Sequence, residues 1–264
     1  MSSYATISRG LDRDGTVAES DFERIQRPPG IRIVRYPTVR SDEIGWLTVI
    51  EMIEVDRVMM HDLRIELIQM MENAGRNLAE LVLKRFSPAT VTVLAGSGGN
   101  GGGGLVAARH LANRGVEVCV TLGRQAKALA PVPLHQYEIL QRMGVPVVDE
   151  PHRSDVVIDA LIGYSLKGAP RGRIGELVGR IGDLGDHVVS LDTPSGVNVT
   201  DGSAPGVAVN ANMTMTLGLP KVGLRGNVCV GELYLADISL PPSVYDAIGA
   251  GPAPDFTSRS ILRV

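Results

Sequence analysis

The stretch that most narrows what this chain can become is VTVLAGSGGNGGGGLVAARHL, from Val91 to Leu111. It opens with an apolar run, passes through a segment in which seven of the nine residues from Gly96 to Gly104 are glycine, and closes on a helix-length apolar pattern. A strand, a glycine turn and a helix beginning near Gly101 bring unpaired backbone N–H groups and the positive end of a helix to one point, which favours phosphate or another anion. Four successive glycines, Gly101 to Gly104, weaken the start of that helix by roughly 1 kcal/mol each relative to alanine. A purely structural connection seldom needs so many. The run is therefore read as the place where a ligand approaches the main chain.

Similar apolar runs recur along the chain. Two helical patterns come first, one around Ile50, Ile53, Val58 and Met60, the next through Leu67, Met70, Met71, Ala74, Leu78 and Leu81. After Val91 to Gly96 the strand candidates are VEVCVTLG from Val116, VPVVD from Val145, VVIDALIG from Val156, HVVSLD from His187, NMTMTLGL from Asn212 and GELYLADI from Gly231. Runs this short and continuous suit strands covered on both faces. Helix-length stretches separate several of them, beginning at Gly104, Leu134 and Ile174. The alternation predicts an α/β fold with a mostly parallel sheet flanked by helices and ligands at the carboxyl ends of the strands. Residues 1–45 are polar and broken by proline, and read as an N-terminal extension; 46–242 form the domain; 243–264 form a C-terminal tail expected to be peripheral.

Composition excludes several classes. A net charge of -3 on 264 residues leaves no basic surplus for a nucleic acid. No apolar run reaches the roughly 18 to 20 residues of a membrane span, and the first residues lack the apolar core of a signal peptide, so a cytoplasmic protein is expected. Cys119 and Cys229 lie in strand-like runs and read as small free core hydrophobes. The five histidines show no paired metal spacing, and Ser195 lies in TPSG rather than in a hydrolase elbow.

Gly96, Gly98 and Gly101 match G-x-G-x-x-G, a dinucleotide fingerprint that expects an acidic residue about 20 positions on. Arg124 stands where that acid belongs, which suits a 2′-phosphate and keeps an NADP-dependent oxidoreductase open as an alternative.

Four further stretches accompany the glycine run in one order: MENAGRNLAEL from Met71, DALIGYSLKGAPRG from Asp159, LDTPSGVNVTDG from Leu191 and LGLPKVGL from Leu217. Together they resemble the NAD(P)H-hydrate epimerase family, the YjeF N-terminal domain, over roughly residues 47–242. The resemblance implies a Rossmann-like three-layer fold and an isomerase that interconverts the C6 epimers of hydrated NADH and NADPH (NADHX and NADPHX). It further implies a separate dehydratase in the same repair and, for the Met-rich helices, a homodimer. By the same likeness Asn100, Asp159 and Ser195 would ligate a potassium ion. Gly99, Asn100, Gly101, Gly102 and Gly103, with Gly163, Tyr164, Ser165, Leu166, Lys167, Gly168 and Ala169, would line the dinucleotide. Asp192 would face the reacting nicotinamide as acid and base, and Lys167 would assist by its charge; the role of Lys221 is left open.

The family loop usually reads N-N-G-G-D-G, whereas here Gly99 and Gly103 stand at its first asparagine and its aspartate. That departure carries an alternative expectation, a catalytically weak member that serves as a dinucleotide- or partner-binding module.

Overall fold

The structure, a computed structural model, describes residues 35–264. Most of the expected N-terminal extension lies outside these residues.

Helix α1 (Val49–Arg57) starts at a capping box in which Thr48 and Glu51 satisfy each other's backbone N–H groups. A single π-helical turn at Val58–Asp62 leads to α2 (Leu67–Phe86), whose stripe of Met70, Met71, Ala74, Leu78, Leu81 and Val82 is buried. The chain then alternates: β1 (Thr90–Ala95), α3 (Gly99–Ala112), β2 (Glu117–Leu122), α4 (Pro131–Arg142), β3 (Ser154–Ala160), α5 (Gly172–Arg180), β4 (Gly185–Leu191), β5 (Met213–Leu217) and β6 (Glu232–Ala236). It ends with α6 (Pro242–Ile248) and β7 (Ile261–Arg263).

One sheet takes all seven strands in the order β2-β1-β3-β4-β5-β6-β7, parallel throughout except for β7. Alternate side chains enter different layers. Val91, Val93 and Ala95 of β1 pack with Leu78 of α2 and Leu105 of α3, while Leu94 packs with Leu177 of α5 on the opposite face. Each fully buried side chain of this size contributes about 1.5 to 3 kcal/mol. The fold is therefore the expected α/β one, a mostly parallel sheet between helical layers.

Three expected elements come out differently. VPVVD makes only an isolated bridge, Val120 with Val147, because Pro146 has no N–H to extend a ladder. The tail is not peripheral: Ile261 and Leu262 are buried in β7, which pairs antiparallel with β6. Residues 36–39 are held too, with Val39 N–H bonded to Arg263 O at 2.8 Å and the buried Tyr36 ring edge-on to Tyr234 at 5.4 Å. Their burial is nonlocal, so no local pattern announced it.

The glycine run acquires a second reason. A Cβ on Gly101 would stand 1.9 Å from the Gly96 carbonyl oxygen, and one on Gly104 would stand 2.5 Å from the Ala160 Cβ. These two positions let α3 lie directly on the turn and on β3. Helix–sheet contact, rather than ligand approach, requires glycine there.

Candidate active site

β1 and β3 are neighbours whose onward connections go opposite ways, through α3 to β2 and through α5 to β4. Such a switch point leaves a crevice at the strand ends. Here it is a cleft of about 510 Å³, walled by the start of α3, the loop after β3, the turn after β4, and α1 and α2 on its far side.

Asp192 lies in the turn after β4. Its φ of 67° is left-handed, and its N–H is bonded to Met215 O of the neighbouring strand at 2.7 Å, which aims the carboxylate into the cleft. One oxygen pairs with the Lys221 ammonium; the other accepts the Tyr164 N–H at 3.1 Å. Lys221 is fully buried, and its remaining protons go to Leu217 O at 2.9 Å and Thr216 Oγ1 at 3.2 Å. A buried charge needs a partner with hydrogen bonds around both, and this pair has them.

The Tyr164 hydroxyl donates to Asp56 Oδ2 at 2.6 Å. Asp56 belongs to α1 and lines the same cleft. Burial pushes its carboxyl above its ordinary value, with the Tyr164 hydroxyl bond and the Lys221 charge pulling the other way. The Tyr164 phenol is raised as well, by burial first and by Asp56 second.

Behind the cleft, Asp159 lies one residue before the end of β3 and is completely buried. It accepts Ser195 Oγ–H at 2.6 Å, Ser195 N–H at 2.8 Å and Ser190 Oγ–H at 2.8 Å, and has no cationic partner among the described residues. Burial raises its carboxyl despite those bonds. Asn100, in the first turn of α3, has both amide atoms out of solvent and without a hydrogen-bond partner among the described residues.

The structure thus brings Gly99, Asn100, Gly103, Gly163, Tyr164, Ser165 and Asp192 of the expected residues around one cleft, with Asp159 and Ser195 bonded to each other. Leu166, Lys167, Gly168 and Ala169 do not line it, and Lys167 is exposed; Gly101 and Gly102 are buried in the first turn of α3 and do not line it either. The lysine beside the carboxylate is Lys221. The sequence offered one sign of it, a lysine directly after a strand in LPKVG. For Asp56 it offered none, because α1 reaches the site only through tertiary packing.

A larger, more open cleft of about 1130 Å³ adjoins the first and shares Arg124 and Ile174 with it. Arg173 there is bonded to Glu150 at 2.7 Å, whereas Arg124 and Arg171 have no ion pair among the described residues.

The family of the YjeF-related protein N-terminus matches residues 67–223. The chain belongs to that family. A YjeF-family relative named NAD(P)H-hydrate epimerase, from Dehalogenimonas lykanthroporepellens, is 45% identical over 82% of this chain and 91% of its own. A bifunctional NAD(P)H-hydrate repair enzyme of Hyperthermus butylicus is 38% identical over 71% of this chain, which spans 37% of that longer protein. The crystal structure of yeast ynu0 superposes with a TM-score of 0.72 over 84% of this chain and all of the yeast one, at 24% identity, and shares the fold. No helix among the described residues is long and apolar enough to cross a membrane.

Proposed function

We infer that the chain is an isomerase, an NAD(P)H-hydrate epimerase that interconverts the two C6 epimers of NADHX and NADPHX. The observation that carries this reading is the buried Asp192–Lys221 pair at the switch-point cleft of a chain 45% identical to a relative of that name. The reacting carbon bears a hydroxyl and adjoins the ring nitrogen, so epimerisation needs a group that accepts and returns a proton beside it. Asp192, paired with Lys221 and facing the cleft, is the group placed to take a proton from incoming water. The uncapped start of α3, at Gly98 and Gly99, presents backbone N–H groups to an anionic part of the ligand.

A monovalent cation belongs to the same reading. Among the described residues Asp159 is a buried carboxylate without a cationic partner, Asn100 offers an unused amide oxygen, and Ser195 a hydroxyl. No cluster of three His, Cys, Asp or Glu suited to a metal occurs among the described residues. One carboxylate with neutral oxygens fits potassium better than a transition metal. Bound there, the ion would supply positive charge beside Asp159 and tie three loops together.

Arg124, at the junction of the two clefts, suits the 2′-phosphate of NADPHX. A dehydratase acting on the product is part of the proposal, supported by the bifunctional repair enzymes among the relatives. So is a homodimer, for which the exposed Ile50 and Ile53 of α1 offer apolar surface.

The test is chromatographic. Pure (6R)-NADPHX incubated with the protein should relax toward the epimer mixture faster than its spontaneous rate. Relaxation at the spontaneous rate overturns the reading.

A further inference from the structure

We propose that Asp56, on α1, is a second acid–base residue, serving the face of the nicotinamide ring opposite to the one served by Asp192. This rests on the epimerase reading and deepens it. Epimerisation removes a hydroxyl from one face of a carbon and restores it on the other, so one carboxylate on one side leaves half the proton traffic without a partner.

The geometry supplies that partner. Tyr164 spans the two carboxylates, its backbone N–H on Asp192 and its hydroxyl on Asp56 at 2.6 Å, and all three line the same cleft. Their environments differ. Asp192 is paired with a buried lysine, whereas Asp56 has no basic group in hydrogen-bond contact among the described residues. The neighbouring Arg57 is committed outward, to Glu54 at 2.7 Å and Asp62 at 2.9 Å. The cleft that Asp56 lines is also walled by thioether and hydrocarbon from Met52, Met60, Met70 and Leu67. The groups that act on it are Tyr164, Lys221 and Asp192, and burial outweighs the first two in keeping its carboxyl above its ordinary value. Two carboxyls in such different settings, one paired with a buried lysine and one bonded only to a tyrosine hydroxyl, are suited to opposite roles as acid and base.

The step balances as follows. Asp56 gives its proton to the C6 hydroxyl; the C6–O bond breaks with its electron pair on oxygen, and water leaves. The ring-nitrogen lone pair forms the C=N bond to C6 meanwhile. Water then adds to C6 from the other face, its proton passes to the Asp192 carboxylate, and the nitrogen recovers its pair. One water leaves and one enters, with no change of oxidation state. The proton on Asp192 exchanges with solvent, and Asp56 is reprotonated before the next turnover; the reverse direction uses the same groups in exchanged roles.

Kinetics of the purified full chain on each pure epimer test this, alongside calorimetric affinity for NADP. Asp56→Asn should lower kcat by 10²- to 10⁴-fold, the range for a general acid–base group, with NADP affinity within threefold of wild type and an unchanged melting temperature. The wild-type rate should fall at high pH as Asp56 loses its proton, and that limb should be absent from Asp56→Asn. Tyr164→Phe keeps the backbone N–H on Asp192 but removes the bond that lowers the Asp56 carboxyl, so it should move the high-pH limb upward. Should Asp56→Asn turn over within threefold of an active wild type, or Tyr164→Phe leave the limb in place, the proposal is overturned while the epimerase reading stands. An inactive wild type removes both.

Discussion

Lys221 and Asp192 form an ion pair in which the lysine side chain is fully buried and the aspartate side chain is only 6% exposed, 29 residues apart in sequence and joined at the cleft. The pair links chemistry to stability, because neither charge has water to fall back on. Lys221→Met should cost about 3 to 5 kcal/mol in denaturant unfolding, the range for stranding one member of a buried pair. Lys221→Met with Asp192→Asn should cost less than the sum of the single changes, since no charge is then left uncompensated. Additive losses would show that the two side chains do not interact.

Asp192 also sits at a left-handed φ of 67°. Asparagine tolerates that region and alanine does not, at about 1 to 2 kcal/mol. Asp192→Asn keeps that backbone conformation but strands the buried Lys221 ammonium, so it should cost about 3 to 5 kcal/mol, bind NADP within a few fold where it is folded, and lose about 10²- to 10⁴-fold in epimerase turnover. Asp192→Ala should lose the same activity and melt lower. Equal melting temperatures for the two variants would count against the backbone argument.

The Asp159 carboxyl is raised by burial, so between its unfolded and folded values the native state binds more protons than the unfolded chain. Stability contributed by the protonated form is present at low pH and is lost as pH rises through that window. Potassium favours the carboxylate and should offset the loss. The gain in melting temperature from potassium over a bulky organic cation is expected to be larger at pH 8 than at pH 5, and to vanish in Asp159→Asn. Identical gains at both pH values would remove the ion from this site.

Two glycines at the family's polar loop positions differ in room. Neither has a positive φ, and a Cβ on Gly99 meets nothing within 4 Å, whereas one on Gly103 would stand 2.7 Å from Leu191 Cδ2. Gly99→Asn should be tolerated with little change in melting temperature. Gly103→Asp should cost roughly 1 to 3 kcal/mol as Leu191 shifts. Gly101→Ala, aimed at backbone oxygen 1.9 Å away, should be worse than either. If Gly99→Asn raises turnover tenfold, the natural loop is a weakened one; unchanged turnover means the missing amide is dispensable.

Arg124 has no ion pair among the described residues and stands between the two clefts. Its replacement by alanine should lower affinity for NADP while leaving NAD unchanged, measured by calorimetry and by kcat/KM on NADPHX against NADHX. A charge-assisted contact of this kind is worth roughly 1.5 to 3 kcal/mol, or about one to two decades in affinity. Equal losses for both cofactors would place Arg124 away from the 2′-phosphate.

What local pattern could decide, the sequence decided. Continuous apolar runs named β1 to β6, the glycine run marked the turn at the head of α3, and five motifs in one order pointed to the YjeF family, because strand burial, turn geometry and motif spacing are written in adjacent residues. Pairings across long loops were not. Only folding put Lys221 rather than Lys167 against Asp192, swung α1 so that Asp56 meets the Tyr164 hydroxyl, and set β7 beside β6. It also showed that Gly101 and Gly104 are small because α3 rests on β3 and the Gly96 turn. The reason is physical: a buried charge or a bare Cα acquires its meaning from the atom placed against it, and in this chain that atom comes from another turn of the fold.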